Sequence, residues 1–147
     1  MSTREEHQPR GCPPTAGTTN ARRELGRQGE DLAARRLRAC GYDVLARNVR
    51  TRHGEIDLIA CDRCTLVFAE VKTRCAGVHQ TTIRADQEPL LALGRRQQYR
   101  LRRLAAAWLR DAGSRRPSAR TIRFDAIGVV IDTRGRLRRI EHIEGAF

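Results

Sequence analysis

The feature that most constrains this chain is a run of three short β-patterned segments, residues 42–50, 55–60 and 65–73, enclosed between two segments of helical periodicity. Strands separated by turns this short form a meander. Residues 65–73 are rich in β-formers and apolar enough to be a central strand. Ahead of the meander, Leu25, Leu32, Ala33, Leu37 and Cys40 make a helical stripe that starts after a candidate cap at Asn20 and ends at Gly41. Behind it, residues 75–89 read as a loop or flap, and a long helix is expected over 90–112. The apolar line of that helix is Leu93, Gln97, Leu101, Leu104, Ala105 and Trp108, broken only at Gln97. Two more strands are expected at 121–132 and 137–143, turning at Arg134 and Gly135. The order is α, three β, α, two β, an α/β protein with helices flanking a sheet.

A length of 147 residues suits one domain with a real core, here 20–147. Residues 1–19 carry Pro9, Gly11, Pro13, Pro14 and Gly17 with no apolar periodicity and read as a disordered tail. No stretch approaches the roughly 18 apolar residues of a membrane span, and the N-terminus has no apolar signal core. A cytoplasmic protein with no membrane partner is expected. Five cysteines are an odd count without a small secreted scaffold, which argues against a disulfide framework. Cys61 and Cys64 lack the second ligand pair of a structural zinc site and read as thiols flanking a hairpin turn.

The formal net charge of +12 favours a polyanionic partner, with nucleic acid the first choice. Aromatic residues are only 4% of the chain, too few for the stacking platforms of a single-strand RNA module. Arg96, Arg100 and Arg103 recur at i, i+4 and i+7 and form a ridge of guanidiniums suited to phosphate. Among the 29 basic residues Lys72 is the one lysine. Arginine is a planar, permanently charged fork, whereas lysine is a compact ammonium with a tunable pKa, so a position that keeps lysine in so arginine-rich a chain points to chemistry.

Lys72 has acidic company. Glu70 and Lys72 share a strand face, as do Glu55 and Asp57. A two-residue turn at Asp62 and Arg63 would place Cys61 opposite Cys64, Asp57 opposite Phe68, Glu55 opposite Glu70 and His53 opposite Lys72. Opposed carboxylates destabilise a sheet unless a cation compensates, and Mg²⁺ takes one or two carboxylates plus phosphate oxygens and water. The competing reading is that nearby arginines neutralise these acids as ordinary ion pairs.

Asp57 with Glu70-Val71-Lys72 resembles the motif of the restriction-endonuclease-like superfamily, and the chain from about Ala21 onward is similar to its YraN-like family, related to archaeal Holliday-junction resolvases. The runs that carry the resemblance are Gly26-Arg27-Gln28-Gly29-Glu30-Asp31, Gly54-Glu55-Ile56-Asp57-Leu58-Ile59-Ala60, Val67-Phe68-Ala69-Glu70-Val71-Lys72, Arg123-Phe124-Asp125-Ala126-Ile127-Gly128-Val129 and Ile140-Glu141-His142-Ile143-Glu144. The resemblance implies an αβββαβ core with a central mixed sheet flanked by helices. It implies an endonuclease acting on DNA, including branched DNA, with Mg²⁺ or Mn²⁺ as cofactor. Asp57, Glu70 and the Val71 carbonyl would hold the metal, Lys72 would orient or activate the attacking water, and Glu30 resembles an extra acid of resolvase-like relatives. Glu55 and His53 are second choices, and Arg74 joins the arginine ridge as a DNA contact. Resolvase-like relatives act as dimers, which implies a homodimer. A non-catalytic nucleic-acid-binding or adaptor protein with the same fold is the alternative.

Overall fold

The computed structural model describes residues 17–77 and 88–147. Helix α1 (Gly17–Ala39) is followed by strands β1 (Asp43–Thr51), β2 (Gly54–Cys61) and β3 (Thr65–Ala76). A 3-10 turn (Pro89–Ala92), helix α2 (Arg95–Ala112) and strands β4 (Thr121–Asp132) and β5 (Leu137–Ile143) complete the chain. The five strands form one mixed sheet in the order β1-β2-β3-β4-β5, in which only β3 and β4 run parallel. A parallel pair needs a long crossover, and α2 lies within it.

Alternation along the strands separates two apolar layers. Ala33, Ala34 and Leu37 of α1 pack with Leu58, Ala60, Val67, Ala69, Val71, Ile127, Val129 and Ile131 on one face. Leu101, Leu104 and Ala105 of α2 pack with Ile59, Leu66 and Phe68 on the other. Each fully buried leucine or isoleucine contributes roughly 1.5–3 kcal/mol. Phe68 anchors the second layer, edge-on to Trp108 at 5.7 Å and stacked on Phe124 at 5.9 Å between ring centres. The central placement expected for β3 follows from this: seven of its twelve residues are buried, on both faces.

Two glycines let elements approach closely. A Cβ on Gly29 would sit 1.8 Å from the Thr73 Oγ1, so α1 lies against β3 only with glycine there. A Cβ on Gly128 would meet the Pro89 ring at 2.7 Å, where the 3-10 turn presses on β4.

Several expected boundaries move. Helix α1 begins at Gly17, ahead of Asn20, so residues 17–19 of the expected tail are helical; the rest of that tail lies outside the described residues. β3 extends to Ala76, and the expected loop falls mostly on residues 78–87, also outside them. The expected helix over 90–112 is broken at Gly94, whose extended backbone (φ −76°, ψ 167°) caps α2 while its carbonyl accepts the Gln97 and Gln98 N–H groups.

The motifs around Asp125 and His142 serve the fold. Asp125 is fully buried and accepts two 2.8 Å bonds from the Arg123 guanidinium and one of 3.0 Å from the Gly145 N–H; His142 Nε2 lies 2.8 Å from its other side. Burial pushes this carboxyl up, but the His142, Arg123 and Gly145 bonds outweigh it and hold it below the usual range. Arg123 also binds Glu144 at 3.0 Å and lies over the Tyr42 ring. The network ties the start of β4 to the end of β5 and to Tyr42 beside α1.

Candidate functional site

The β2–β3 turn decides the register of the site. It has four residues, closed by the Asp62 N–H on the Thr65 carbonyl, with the Asp62 carboxylate accepting the Cys64 and Thr65 N–H groups at 2.7 and 2.6 Å. Cys61 therefore faces Leu66 and Leu58 faces Ala69, a shift of two residues from the register expected for a two-residue turn. An even shift keeps side chains on their expected faces but changes their partners. Glu55 is paired with Arg50 on β1 instead of facing Glu70. His53 lies exposed in the β1–β2 turn, accepting a bond from its neighbour Arg52, and never reaches Lys72.

The β2–β3 pairing stops at Leu58 and Ala69. Beyond it, the Val71 N–H donates to Asp57 Oδ2 at 2.7 Å, so a side chain bridges where the backbone ladder ends. Alternation also breaks here: Ile56 and Ile59 both join the α2-side layer, while Leu58 and Ala60 lie in the other. Asp57 sits at this irregularity. Across from it on β1, Asn48 has a positive φ of 50°, a conformation asparagine tolerates better than most residues.

Asp57, Glu70 and Lys72 line one cleft of about 700 Å³, and Glu30 of α1 and Glu55 of β2 line it too. Arg22, Arg74 and Arg100 supply its positive side. The Lys72 ammonium donates to Glu70 Oε1 at 2.6 Å, and Arg100 Nη2 lies 3.6 Å from that oxygen. The Glu70 side chain is 4% exposed. Glu55 is held at the rim by Arg50 at 3.4 Å.

Two cations, Lys72 and Arg100, thus converge on Glu70. Neither Asp57 nor Glu30 has an ion pair among the described residues, and Glu30 Oε2 is buried with no hydrogen-bond partner. Burial pushes the Asp57 carboxyl up to about 7; repulsion from Glu70 adds to this and the Val71 N–H opposes it. No three His, Cys, Asp or Glu side chains among the described residues are gathered as a preformed metal cage. A Mg²⁺ ion does not require one, because it is bound through one or two carboxylates and keeps water or phosphate oxygens as its other ligands. Under-neutralised Asp57 and an orphaned Glu30 oxygen beside Glu70 fit that demand.

A stability measurement follows from the raised pKa. In the unfolded chain Asp57 titrates near 3.8, so between about pH 4 and 7 the folded state holds the extra proton, and stability falls as pH rises through that window. Asp57→Asn keeps an acceptor for the Val71 N–H and removes the buried charge. In metal-free buffer at pH 8 the variant should be more stable than wild type by roughly 1–4 kcal/mol, with the gain vanishing near pH 4. Thermal melts at the two pH values check this; an Asn variant less stable at pH 8 would contradict it.

Of the expected arginines, Arg100 and Arg74 line the cleft, while Arg96 and Arg103 are exposed on α2 outside it. Arg22 was not among the expected residues. Its signal lay in the spacing of Arg22, Gly26 and Glu30, which places all three on one face of α1, the face that lines the cleft. No helix among the described residues is long and apolar enough to cross a membrane.

A family model described as "Uncharacterised protein family UPF0102" matches residues 29–129. A UPF0102 protein of Acidothermus cellulolyticus is 41% identical over 139 residues, covering 90% of this chain and 99% of its own. Relatives with the same description from Streptomyces griseus and Parafrankia sp. are each 46% identical, covering 79% and 84% of this chain and 90% and 95% of theirs.

Proposed function

Because the chain belongs to the UPF0102 family, which the resemblance to YraN-like proteins anticipated and whose description assigns no activity, we propose a function from the cleft itself: a divalent-metal-dependent endonuclease hydrolysing phosphodiester bonds in DNA. The observation that carries it is the unequal neutralisation of three acids in one cleft. Glu70 is matched by Lys72 and Arg100, whereas Asp57 and Glu30 face the same cleft with no ion pair of their own among the described residues.

Asp57 and Glu70 would hold Mg²⁺ or Mn²⁺, with Glu30 the third donor and the Val71 carbonyl a further one. When bound, the metal would polarise the scissile phosphate and lower the pKa of a water. Lys72, anchored on Glu70, places an ammonium where it can orient that water and offset charge developing on the phosphate. Arg100, Arg74 and Arg22 hold backbone phosphates against the cleft wall. The +12 charge concentrates DNA at the surface without reading its sequence.

The test is a panel of duplex, flap, four-way junction and single-stranded DNA, incubated with Mg²⁺ or Mn²⁺ and with EDTA. At least one substrate should be cleaved with metal and none with EDTA. DNA bound but uncleaved throughout would favour the alternative, a non-catalytic DNA-binding protein. One observation suits that alternative: four acidic and four basic side chains line the cleft and balance formally.

A further inference from the structure

The sequence contains six aromatic residues, and all lie in the described segments. Five are turned inward or half-buried. Tyr42 is covered by Arg123, and Phe68, Trp108, Phe124 and Phe147 form one continuous series of ring contacts, edge-on at Trp108 and stacked elsewhere. Tyr99 alone is 64% exposed. Its position on α2 is specific: at about 100° per residue, Arg96, Tyr99, Arg100 and Arg103 fall within an arc of about 100°, turned away from the Leu101, Leu104 and Ala105 face. Arg100 stands at the edge of that arc nearest the core, and from there its guanidinium reaches Glu70. The Arg103 guanidinium lies 5.9 Å from the Tyr99 ring centre, a distance at which a cation over the ring steadies it.

An exposed ring held by one arginine and flanked by two more combines a stacking surface with phosphate contacts, one residue from a side chain of the cleft. Bases inside a duplex are stacked on each other and closed to it. Resting on the endonuclease reading above, we propose that Tyr99 stacks against an unpaired base, so that the substrate is DNA in which duplex gives way to single strand beside the scissile phosphate. Arg96, Arg100 and Arg103 span about 10 Å along the helix and follow the backbone on either side of that base. Base-on-aromatic stacking is sequence-tolerant, in keeping with a surface that carries no base-reading motif.

Fluorescence anisotropy in EDTA tests this with two probes of equal length, one fully paired and one carrying a short single-stranded flap. Wild type should bind the flap about tenfold more tightly, the size of one base stack. Tyr99→Ala should lose that preference while keeping its affinity for the paired probe, and Tyr99→Trp should keep the preference. An equal affinity of wild type for both probes, or a preference that survives in Tyr99→Ala, would overturn the stacking role. Metal-dependent cleavage of paired DNA would in that case still stand. If wild type binds neither probe, the endonuclease reading fails and takes this inference with it.

Discussion

Replacing Glu70 by Ala is expected to remove metal binding and DNA cleavage together while leaving DNA association intact or tighter. Glu70 is the acid on which Lys72 and Arg100 converge, so its loss releases two positive charges into the cleft at the same moment that it removes a proposed metal ligand. A phosphate backbone then meets a more positive surface. Asp57→Ala should lose cleavage as well, but for a second reason: it deletes the acceptor of the Val71 N–H where the β2–β3 ladder ends. The loss in rate should be at least the roughly 100- to 1000-fold that follows removal of one transition-state contact. Cleavage by either variant at more than a tenth of the wild-type rate, with the fold intact by circular dichroism, would exclude these carboxylates from the reaction.

Lys72→Arg carries the second large effect. The Lys72 ammonium is 2.6 Å from Glu70 Oε1 and its side chain is only 21% exposed, so the space around it is limited. A guanidinium is a planar fork whose donors diverge, and it cannot place a single charge on the same point. Cleavage should fall about a hundredfold or more while DNA affinity is unchanged. A charge that merely attracted DNA would be replaced without loss in a chain otherwise supplied with arginine. A Lys72→Arg protein as fast as wild type, on a substrate that wild type cleaves, would rule out a positioned role.

Much of the architecture was legible in the residues because the hydrophobic periods were clean. The turn at Arg134 and Gly135, the central character of β3 and the bounds of β4 and β5 follow from alternation and turn chemistry alone. The pairing of Glu55 with Glu70 was misread because Asp62 was counted as half of a two-residue turn, whereas its carboxylate caps a four-residue one. Side-chain capping of a turn changes register without changing composition. The break in alternation at Asp57 was equally hidden, since Ile56, Leu58 and Ile59 are alike in apolarity and only the packed layers separate them. The break at Gly94 lies within an otherwise continuous apolar line, which alone reads as one helix. Arg22 escaped notice for another reason, that one arginine among so many carries little signal until α1 is seen against β3.

The most direct test is to titrate Mn²⁺ into metal-free protein at pH 8 and follow the electron paramagnetic resonance signal of the free ion. Wild type should remove Mn²⁺ from solution with a saturable stoichiometry that Mg²⁺ competes away, and neither Asp57→Asn nor Glu70→Gln should do so. The Asn variant is informative because the same substitution is expected to stabilise the metal-free fold, so lost binding could not be put down to unfolding. Wild type that leaves the free signal unchanged, or variants that bind as wild type does, would contradict a metal site built on Asp57 and Glu70.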